Sequence, residues 1–191
     1  MTPEYMPLIG IGVVVFLLLL WFWGTYNGLV RLRQHVRESW ADIDVQLKRR
    51  YDLIPNLVAT VKGYAKHEEE VFTRVIEARN RAAANHGSVA SQEADERPVV
   101  QGLRQMLALA EDYPDLKASR NFLALQEELS DTEDRIAAAR RFFNGNVRDY
   151  NTRREVFPSS LVAGLFKFDA ETFWQVEEAF QRDRPDVEFR A

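Results

Sequence analysis

The chain has 191 residues, enough for one domain with an appendage and too few for two fused enzymes. Its nine glycines and seven prolines are few for this length, which favours long helices over a turn-rich β fold. A net charge of −4 does not favour nucleic acid as a partner, and the absence of cysteine excludes disulfides, thiolate metal ligands and a cysteine nucleophile.

An uncharged stretch covers residues 5–30, and residues 8–23 within it (LIGIGVVVFLLLLWFW) are apolar apart from two glycines. A helix needs roughly 20 such residues to cross a bilayer. Tyr5 stands at one border and Trp23 at the other, as in the aromatic belts of membrane proteins. No basic residue precedes the run and no small-residue cleavage site follows it, so the pattern predicts a retained transmembrane helix rather than a signal peptide.

The flanking charges predict the orientation of this helix. No Lys or Arg precedes the apolar run, whereas Arg31, Arg33 and Arg37 follow it closely. Because basic residues accumulate on the cytoplasmic side, we expect a single-pass protein of the cell (inner) membrane, with the N-terminus outside and the C-terminal domain in the cytoplasm. The lipid bilayer is then its first partner, contacted through residues 5–28.

Apolar residues recur three or four apart from Leu29 to Ala78, which predicts one long amphipathic helix continuous with the span. Pro55 predicts a kink or restart near residues 52–55, because proline cannot donate a hydrogen bond to the carbonyl of Tyr51. Residues 85–98 lose the period and gather Asn, Gly, Ser and Pro, so this segment is predicted to be a loop.

A second helix is expected from Pro98 to just before Tyr113, and a third from Asp115 to about Glu155. Leu123 and seven other apolar residues are expected to face inward on the third helix. A short fourth helix is predicted at residues 159–166 or 170–180. Antiparallel packing of the first helix against the second and third predicts an all-α fold: an N-terminal transmembrane helix followed by an antiparallel up-and-down helical bundle with a long first helix.

Several segments together resemble the LemA family: residues 49–79 (RRYDLIPNLVATVKGYAKHEEEVFTRVIEAR), YPDLKAS at 113–119, NFLALQEEL at 121–129, TEDRIAAARRFFNGNVRDYN at 132–151 and PDVEF at 185–189. The resemblance implies a helical bundle behind a single membrane anchor. It implies no catalytic residues and no cofactor, since the family has no established enzymatic activity. The expected organisation is a tail and anchor at residues 1–28, a LemA-like bundle at 29–168, and a C-terminal helix and tail at 169–191.

One group of residues suggests metal chemistry. His67 and Glu70 stand one helical turn apart, and both residue types ligate metals. Glutamates from the third helix would complete a mixed site: Glu127, Glu128 and Glu133. Dimetal bundles use Glu-x-x-His units from two helices, whereas here the order is reversed and the other histidines, His35 and His86, lie near the membrane and in the predicted loop. A solvated acidic turn is therefore the preferred interpretation, and no metal site is assigned.

Two surfaces are candidates for binding a partner. A broken helix at Pro55 would free the Tyr51 carbonyl, which predicts a partner groove at Tyr51, Asp52, Pro55 and Asn56. Residues 156–168 (VFPSSLVAGLFKF) carry more apolar side chains than a loop needs. Core cover is the preferred interpretation of this segment, and docking onto the bilayer surface or a partner helix is the alternative.

Polar residues are expected to pair between helices, and the basic run at residues 48–50 (KRR) is predicted to be a solvated face. The residues proposed for such pairs are Arg49, Asp52, Asn56, Glu77, Arg79, Asn121, Glu128, Glu133, Arg140, Asn144 and Asn151. No nucleotide loop, catalytic triad or small-molecule substrate site is evident. The sequence therefore predicts a nonenzymatic adaptor or scaffold for another membrane protein or for its own assembly. The alternative is a metal-dependent bundle enzyme built on His67 and nearby glutamates.

Overall fold

A computed structural model describes residues 6–175, with side chains from residue 9 onward. Within this range the chain is helical and contains no strand, which confirms the all-α prediction. Tyr5, the PDVEF segment and the rest of residues 176–191 lie outside the described residues. The helices are α1 (Met6–Lys62), α2 (Glu69–Ala84), α3 (Val89–Asp112), α4 (Pro114–Lys117), α5 (Arg120–Glu155) and α6 (Ser159–Leu165).

The two long helices, α1 and α5, run antiparallel along the bundle. Trp40 packs on Phe143 with ring centroids 5.5 Å apart, and further along α1 the side chain of Arg49 pairs with Glu128 at 3.2 Å. Residue numbers thus rise on α1 while they fall on α5. Each helix carries an apolar stripe too long to bury alone, and this packing covers both stripes.

The shorter helices α2 and α3 form a second antiparallel pair against the C-terminal half of α1. Gln92 of α3 donates a hydrogen bond to the carbonyl of Ala82 on α2. Two turns closer to the start of α2, Val75 lies against Gly102 of α3. A Cβ at Gly102 would come within 2.6 Å of Val75 Cγ2, so the absence of a side chain lets the helices approach closely. The bundle core follows the predicted periodicity, except that Leu123 is 48 % exposed.

The first helix is shorter at its C-terminal end than predicted, and it is not restarted at Pro55. α1 ends at Lys62, where Gly63 follows and the carbonyl of Val61 accepts from the next turn at Tyr64 and Ala65. α1 continues through Pro55 because the carbonyl of Tyr51, which the proline cannot serve, accepts a hydrogen bond from another helix instead. The expected continuous helix to Ala78 is therefore wrong, and the chain reverses at residues 63–68.

The predicted loop at residues 85–98 is also wrong in its extent. α3 begins at Val89, with Ser88 as N-cap accepting from the Ser91 backbone N–H at 3.2 Å, so only residues 85–88 connect the helices. Pro98 lies inside α3 and on its exposed side rather than at its start. The helical period is hidden because Gln92, Glu93 and Glu96 occupy buried positions in the first two turns of α3.

Three further boundaries agree with the sequence: α3 ends at Asp112, α5 ends at Glu155, and α6 forms at the first of the two predicted positions. The expected start of the third helix at Asp115 is wrong, because the short helix α4 carries Leu116 and residues 118–119 interrupt the helix before α5 begins at Arg120. The alternative helix at 170–180 is absent over residues 170–175, which have no regular secondary structure, and its remainder lies outside the described residues. Residues 168–175, called the strap below, return along α5.

The described residues include one helix, α1, that is long and apolar enough to cross a membrane. Only 6 % of its apolar window is buried against the rest of the chain, so this part of α1 is not a core helix of the bundle. The remainder of α1 forms the bundle's longest buried face. One helix therefore belongs both to the apolar N-terminal segment and to the packed domain.

Candidate functional site: an arginine-lined cleft beside a buried ion-pair cluster

A buried arginine marks the centre of the bundle. Arg50 follows Leu47 by three residues and precedes Ile54 by four, and these two residues are fully buried on the inner face of α1. Arg50 therefore enters the core, where its side chain is 2 % exposed. Burial of a guanidinium is costly unless charged and hydrogen-bonding partners surround it, so the groups around Arg50 decide whether the arrangement is stable.

Two carboxylates from two other helices supply these partners. Arg50 forms an ion pair with Glu96 of α3, and its Nη1 lies 2.7 Å from Glu133 Oε1 of α5. Glu96 also accepts from the hydroxyl of Tyr51 and, at 3.1 Å, from Nε2 of Gln92. These five residues form the buried ion-pair cluster, in which only Glu133, with a 40 % exposed side chain, reaches the surface. It ties α1, α3 and α5 together at one level of the bundle.

The Tyr51 hydroxyl is held in its neutral form. Burial penalises the phenolate and raises the pKa of Tyr51 to about 12, and this exceeds the opposing effect of the positive charge on Arg50. The neutral phenol donates to Glu96, and it accepts from Gln92 at 3.0 Å. Gln92 is tied down in turn by the Ala82 carbonyl at 3.1 Å.

A cleft of about 980 Å³ opens beside the cluster, between α3 and α5, with α1 as its floor. Arginines outnumber glutamates along its walls, so the cleft carries an excess of positive charge. Burial lowers the pKa of Arg140, whose Nε has no hydrogen-bond partner among the described residues. The charged lining residues are Arg50, Arg97, Arg104, Arg140, Arg141, Glu93, Glu96 and Glu133. Such walls are suited to acidic groups.

The end of the strap forms one edge of this cleft. Trp174 is 3 % exposed and packs on Trp40 of α1 with ring centroids 5.4 Å apart. The backbone N–H of Gln175 donates to Glu93 Oε2 at 3.1 Å, and Arg97 donates to the other oxygen of Glu93 at 3.0 Å. Glu93 therefore joins the strap to α3 at the mouth of the cleft.

Two asparagines of α5 hold the strap by its backbone. Asn144 donates to the Trp174 carbonyl at 2.9 Å and accepts from the Trp174 N–H at 3.0 Å. Asn151 makes the same pair of bonds with Glu171 at 2.9 and 3.0 Å. Asn144 and Asn151 are seven residues apart on α5, which is roughly 10 Å along the helix, and they hold two strap residues that are three positions apart.

The structure changes the physical basis of the partner groove predicted at Pro55. The Tyr51 carbonyl accepts from Arg79 Nε at 3.1 Å, and the Tyr51 side chain is part of the buried cluster. Asp52 is exposed and lies 3.9 Å from Arg79, while Pro55 and Asn56 are exposed. The carbonyl is thus not free, and binding of a partner at these four residues stays a prediction.

The residues of the metal alternative do not converge. His67 lies in the turn before α2 and Glu70 lies on α2, and both are exposed. Within residues 6–175 no three His, Cys, Asp or Glu side chains are grouped so that they could hold a metal ion. Of the α5 glutamates, Glu128 pairs with Arg49 and Glu133 with Arg50. The metal-dependent alternative gains no support from this part of the chain.

Sequence reasoning named several residues that pair between helices, without assigning their partners, and missed the centre of the site. Of that set, Arg49 pairs with Glu128, and Asp52 lies 3.9 Å from Arg79. The prediction of a solvated face at residues 48–50 is wrong for Arg50. The predicted loop at residues 85–98 contains Gln92, Glu93 and Glu96, although their spacing of three and four continues to Val99 and indicates a helix with polar residues turned inward.

An all-helical bundle that shares its first helix with an apolar N-terminal segment defines the class: a helical protein whose N-terminal segment is long and apolar enough to be a membrane anchor. The LemA family model matches residues 39–189, and the chain belongs to the LemA family.

The chain is also similar to several named proteins. The chain is 25 % identical over 181 residues to Protein LemA of Metamycoplasma hominis, covering 94 % of this chain and 80 % of that protein. It is 23 % identical over 181 residues to the magnetosome protein MamQ of Magnetospirillum gryphiswaldense, covering 81 % of this chain and 66 % of that protein. The same figures hold for the magnetosome protein MamQ 2 of Paramagnetospirillum magneticum. The alignment thus spans just under two thirds of the magnetosome relatives.

Proposed function

We propose that this protein is a nonenzymatic, membrane-anchored adaptor. In this proposal α1 crosses the cell membrane once, and the bundle presents the arginine-lined cleft to another membrane protein or to a second copy of the chain. The observation that carries the proposal is the continuity of α1, which runs from the apolar segment to the buried ion-pair cluster as one helix, Met6–Lys62.

This continuity gives the cleft a defined height. Tyr26 closes the aromatic border of the apolar segment, and Arg50 lies 24 residues further along α1. At 1.5 Å per residue the separation is roughly 36 Å. Packing against α5 stiffens this stretch, so the cleft is held at a set distance from the membrane. A rigid spacer with a charged cleft at its end suits an adaptor better than it suits a soluble enzyme.

The relatives support the proposal only through their names, since one is called Protein LemA and others are called magnetosome proteins, and none of these names denotes a reaction. The competing metal-dependent enzyme makes a different prediction. It requires bound iron, manganese or zinc in the purified protein, together with a rise in melting temperature when metal is added. Elemental analysis of the full chain distinguishes the two.

The orientation of the anchor has its own test. We propose that the bundle faces the cytoplasm, because Arg31, Arg33 and Arg37 follow the apolar segment. The chain has no cysteine, so Ser88→Cys creates a single thiol in the exposed connection before α3. A membrane-impermeant maleimide should label it only after the membrane is permeabilised. Labelling in intact cells would reverse the orientation.

Photocrosslinking in intact membranes tests the adaptor role. A benzophenone amino acid at Gln101, an exposed residue on the cleft wall, should give one discrete adduct after irradiation, either a dimer or a complex with one membrane protein. The matched control carries the same group at Ala138, an exposed position of α5 that does not line the cleft. If both positions yield the same diffuse products, the cleft does not bind a partner and the proposal fails.

A further inference from the structure

One face of α6 is apolar and uncovered. The helix buries Ser159, Val162 and Ala163 against the bundle. Its other face presents Leu161, 63 % exposed, and Leu165, 68 % exposed. These two side chains lie one turn apart on the same face of the helix, and the exposed rings of Phe157 and Phe166 flank them. Together these four residues form the α6 patch.

Ring contacts set the level of the α6 patch along α1. The ring of Phe166 lies 4.7 Å from that of Tyr26 and 5.8 Å from that of Phe22, measured between centroids. Both partners belong to the uncharged stretch of α1. The first charged residue of α1, Arg31, comes five residues after Tyr26, which is roughly 7 to 8 Å further along the helix. The contact between α6 and α1 thus lies on the apolar side of Arg31.

An apolar groove of about 700 Å³ extends from this contact toward the N-terminus of α1. Phe166 lines it from α6, and the lining residues of α1 reach as far as Phe16, well inside the predicted membrane span. Apart from Asn27 and the Tyr26 hydroxyl, the lining side chains are apolar: Phe16, Leu19, Leu20, Phe22, Trp23, Tyr26 and Phe166. Water in such a groove would find few hydrogen-bonding partners.

We propose that α6 is a second membrane contact. The α6 patch inserts into the interfacial layer of the leaflet that faces the bundle, where α1 emerges from the bilayer. An acyl chain fills the groove below Phe166. This inference rests on the proposed anchoring of α1 in a bilayer. Its support is continuity: Phe166 of the α6 patch contacts the C-terminal end of the uncharged stretch of α1, which would already be in lipid. Apolar side chains at that level are covered by lipid without any further partner.

The patch itself carries no charge, which separates this contact from electrostatic attachment. Insertion driven by the burial of apolar side chains should occur in neutral phosphatidylcholine and depend little on salt. With two contacts, α1 and α6, the bundle is fixed in rotation about the axis of α1 as well as in height. The cleft then faces one direction along the membrane plane.

Site-directed fluorescence in reconstituted full-length protein tests the proposal. Because the chain has no cysteine, Leu161→Cys and Leu165→Cys each accept one environment-sensitive NBD label. The protein is placed in phosphatidylcholine vesicles that contain spin-labelled lipid. Leu123→Cys is the matched control, an exposed leucine at the opposite end of α5, and Leu17→Cys reports on the span. We expect several-fold stronger quenching by spin-labelled lipid at 161 and 165 than at 123.

Each other outcome has a defined meaning. If the labels at residues 161 and 165 are quenched no more than the label at residue 123, while the label at residue 17 is quenched strongly, the α6 contact is wrong and the anchor stands. If the label at residue 17 is not quenched, the proposed anchor is wrong, and the α6 contact, which depends on it, is wrong as well. Protection of 161 and 165 from iodide without quenching by lipid would show that protein covers the patch, which overturns the proposal. A requirement for anionic lipid would overturn it too.

Discussion

Arg50 of α1 and Glu96 of α3 form an ion pair inside the bundle, where their side chains are 2 % and 7 % exposed. The same arginine reaches Glu133 of α5, so one cation serves carboxylates from two helices. Pairs of this kind contribute little net stability relative to well-packed apolar residues, yet each charge depends on its partner. The arrangement therefore specifies which faces of three helices meet.

Replacing Arg50 should destabilise the protein strongly. Arg50→Ala leaves Glu96 buried without its cation, and breaking a buried pair in this way costs about 3 to 5 kcal/mol. The adjacent Arg49→Ala removes an exposed pair with Glu128 and should cost no more than about 1 kcal/mol. Denaturant unfolding of the full chain in detergent, followed by circular dichroism, gives both free energies. Equal losses for the two variants would show that Arg50 is not held in a dry cluster.

Alkaline pH should weaken the same cluster through Tyr51. Its pKa in the folded protein is about 12 against an ordinary value of 10.0, so the folded state holds the proton more tightly than the unfolded state. The stability that this proton contributes is complete below pH 10 and is lost as pH rises to about 12. Subtracting the stability profile of Tyr51→Phe from that of the wild type isolates the effect. Parallel profiles between pH 10 and 12 would contradict it.

Two glycines in helices should respond to alanine with opposite signs. Gly102→Ala brings a Cβ within 2.6 Å of Val75 Cγ2, so α2 and α3 must shift, and overpacking of this kind costs about 1 to 3 kcal/mol. At Gly145 of α5 nothing lies within 4 Å of the added carbon. There alanine should raise stability by about 0.5 to 1 kcal/mol through helix propensity. The midpoint of thermal unfolding should fall for one variant and rise for the other.

Removal of the Asn144 side chain should release the strap without unfolding the bundle. Asn144→Ala loses two hydrogen bonds to Trp174, each contributing about 0.5 to 1.5 kcal/mol. Amide hydrogen exchange at Trp174 should therefore accelerate, whereas amides in the middle of α1 should not change. Asn146→Ala is the control, because Asn146 donates one long bond of 3.3 Å to His35 and does not touch the strap. Equal acceleration of exchange at Trp174 in both variants would show that Asn144 does not hold the strap.

The apolar part of the fold was readable from sequence because burial of apolar side chains follows the helical period. This accounts for the antiparallel pairing of α1 with α5 and for the position of α6. The reversal at residues 63–68 was missed because the apolar period resumes in α2 and conceals a change of direction. Only the helix-breaking tendency of Gly63 hinted at it.

The site was less readable, because its residues break the rule on which the fold prediction depended. Arg50 and Glu96 occupy core positions that periodicity assigns to apolar side chains, and each is tolerated there only because the other is present. Their partnership spans 46 positions in sequence and could not be derived from local spacing. Arg79 likewise compensates for Pro55 from a different helix, a contact that only the folded chain supplies.

The way in which Asn144 and Asn151 hold the strap has a consequence for how this segment can diverge. Both amides bind main-chain atoms, so Glu171 can be exchanged for almost any amino acid except proline, which lacks the N–H that donates to Asn151, without losing the attachment. Trp174 has no such freedom, because its indole is enclosed against Trp40. Substitutions should therefore be tolerated at Glu171, where only the peptide unit is bound, and not at Trp174, where the side chain itself is packed.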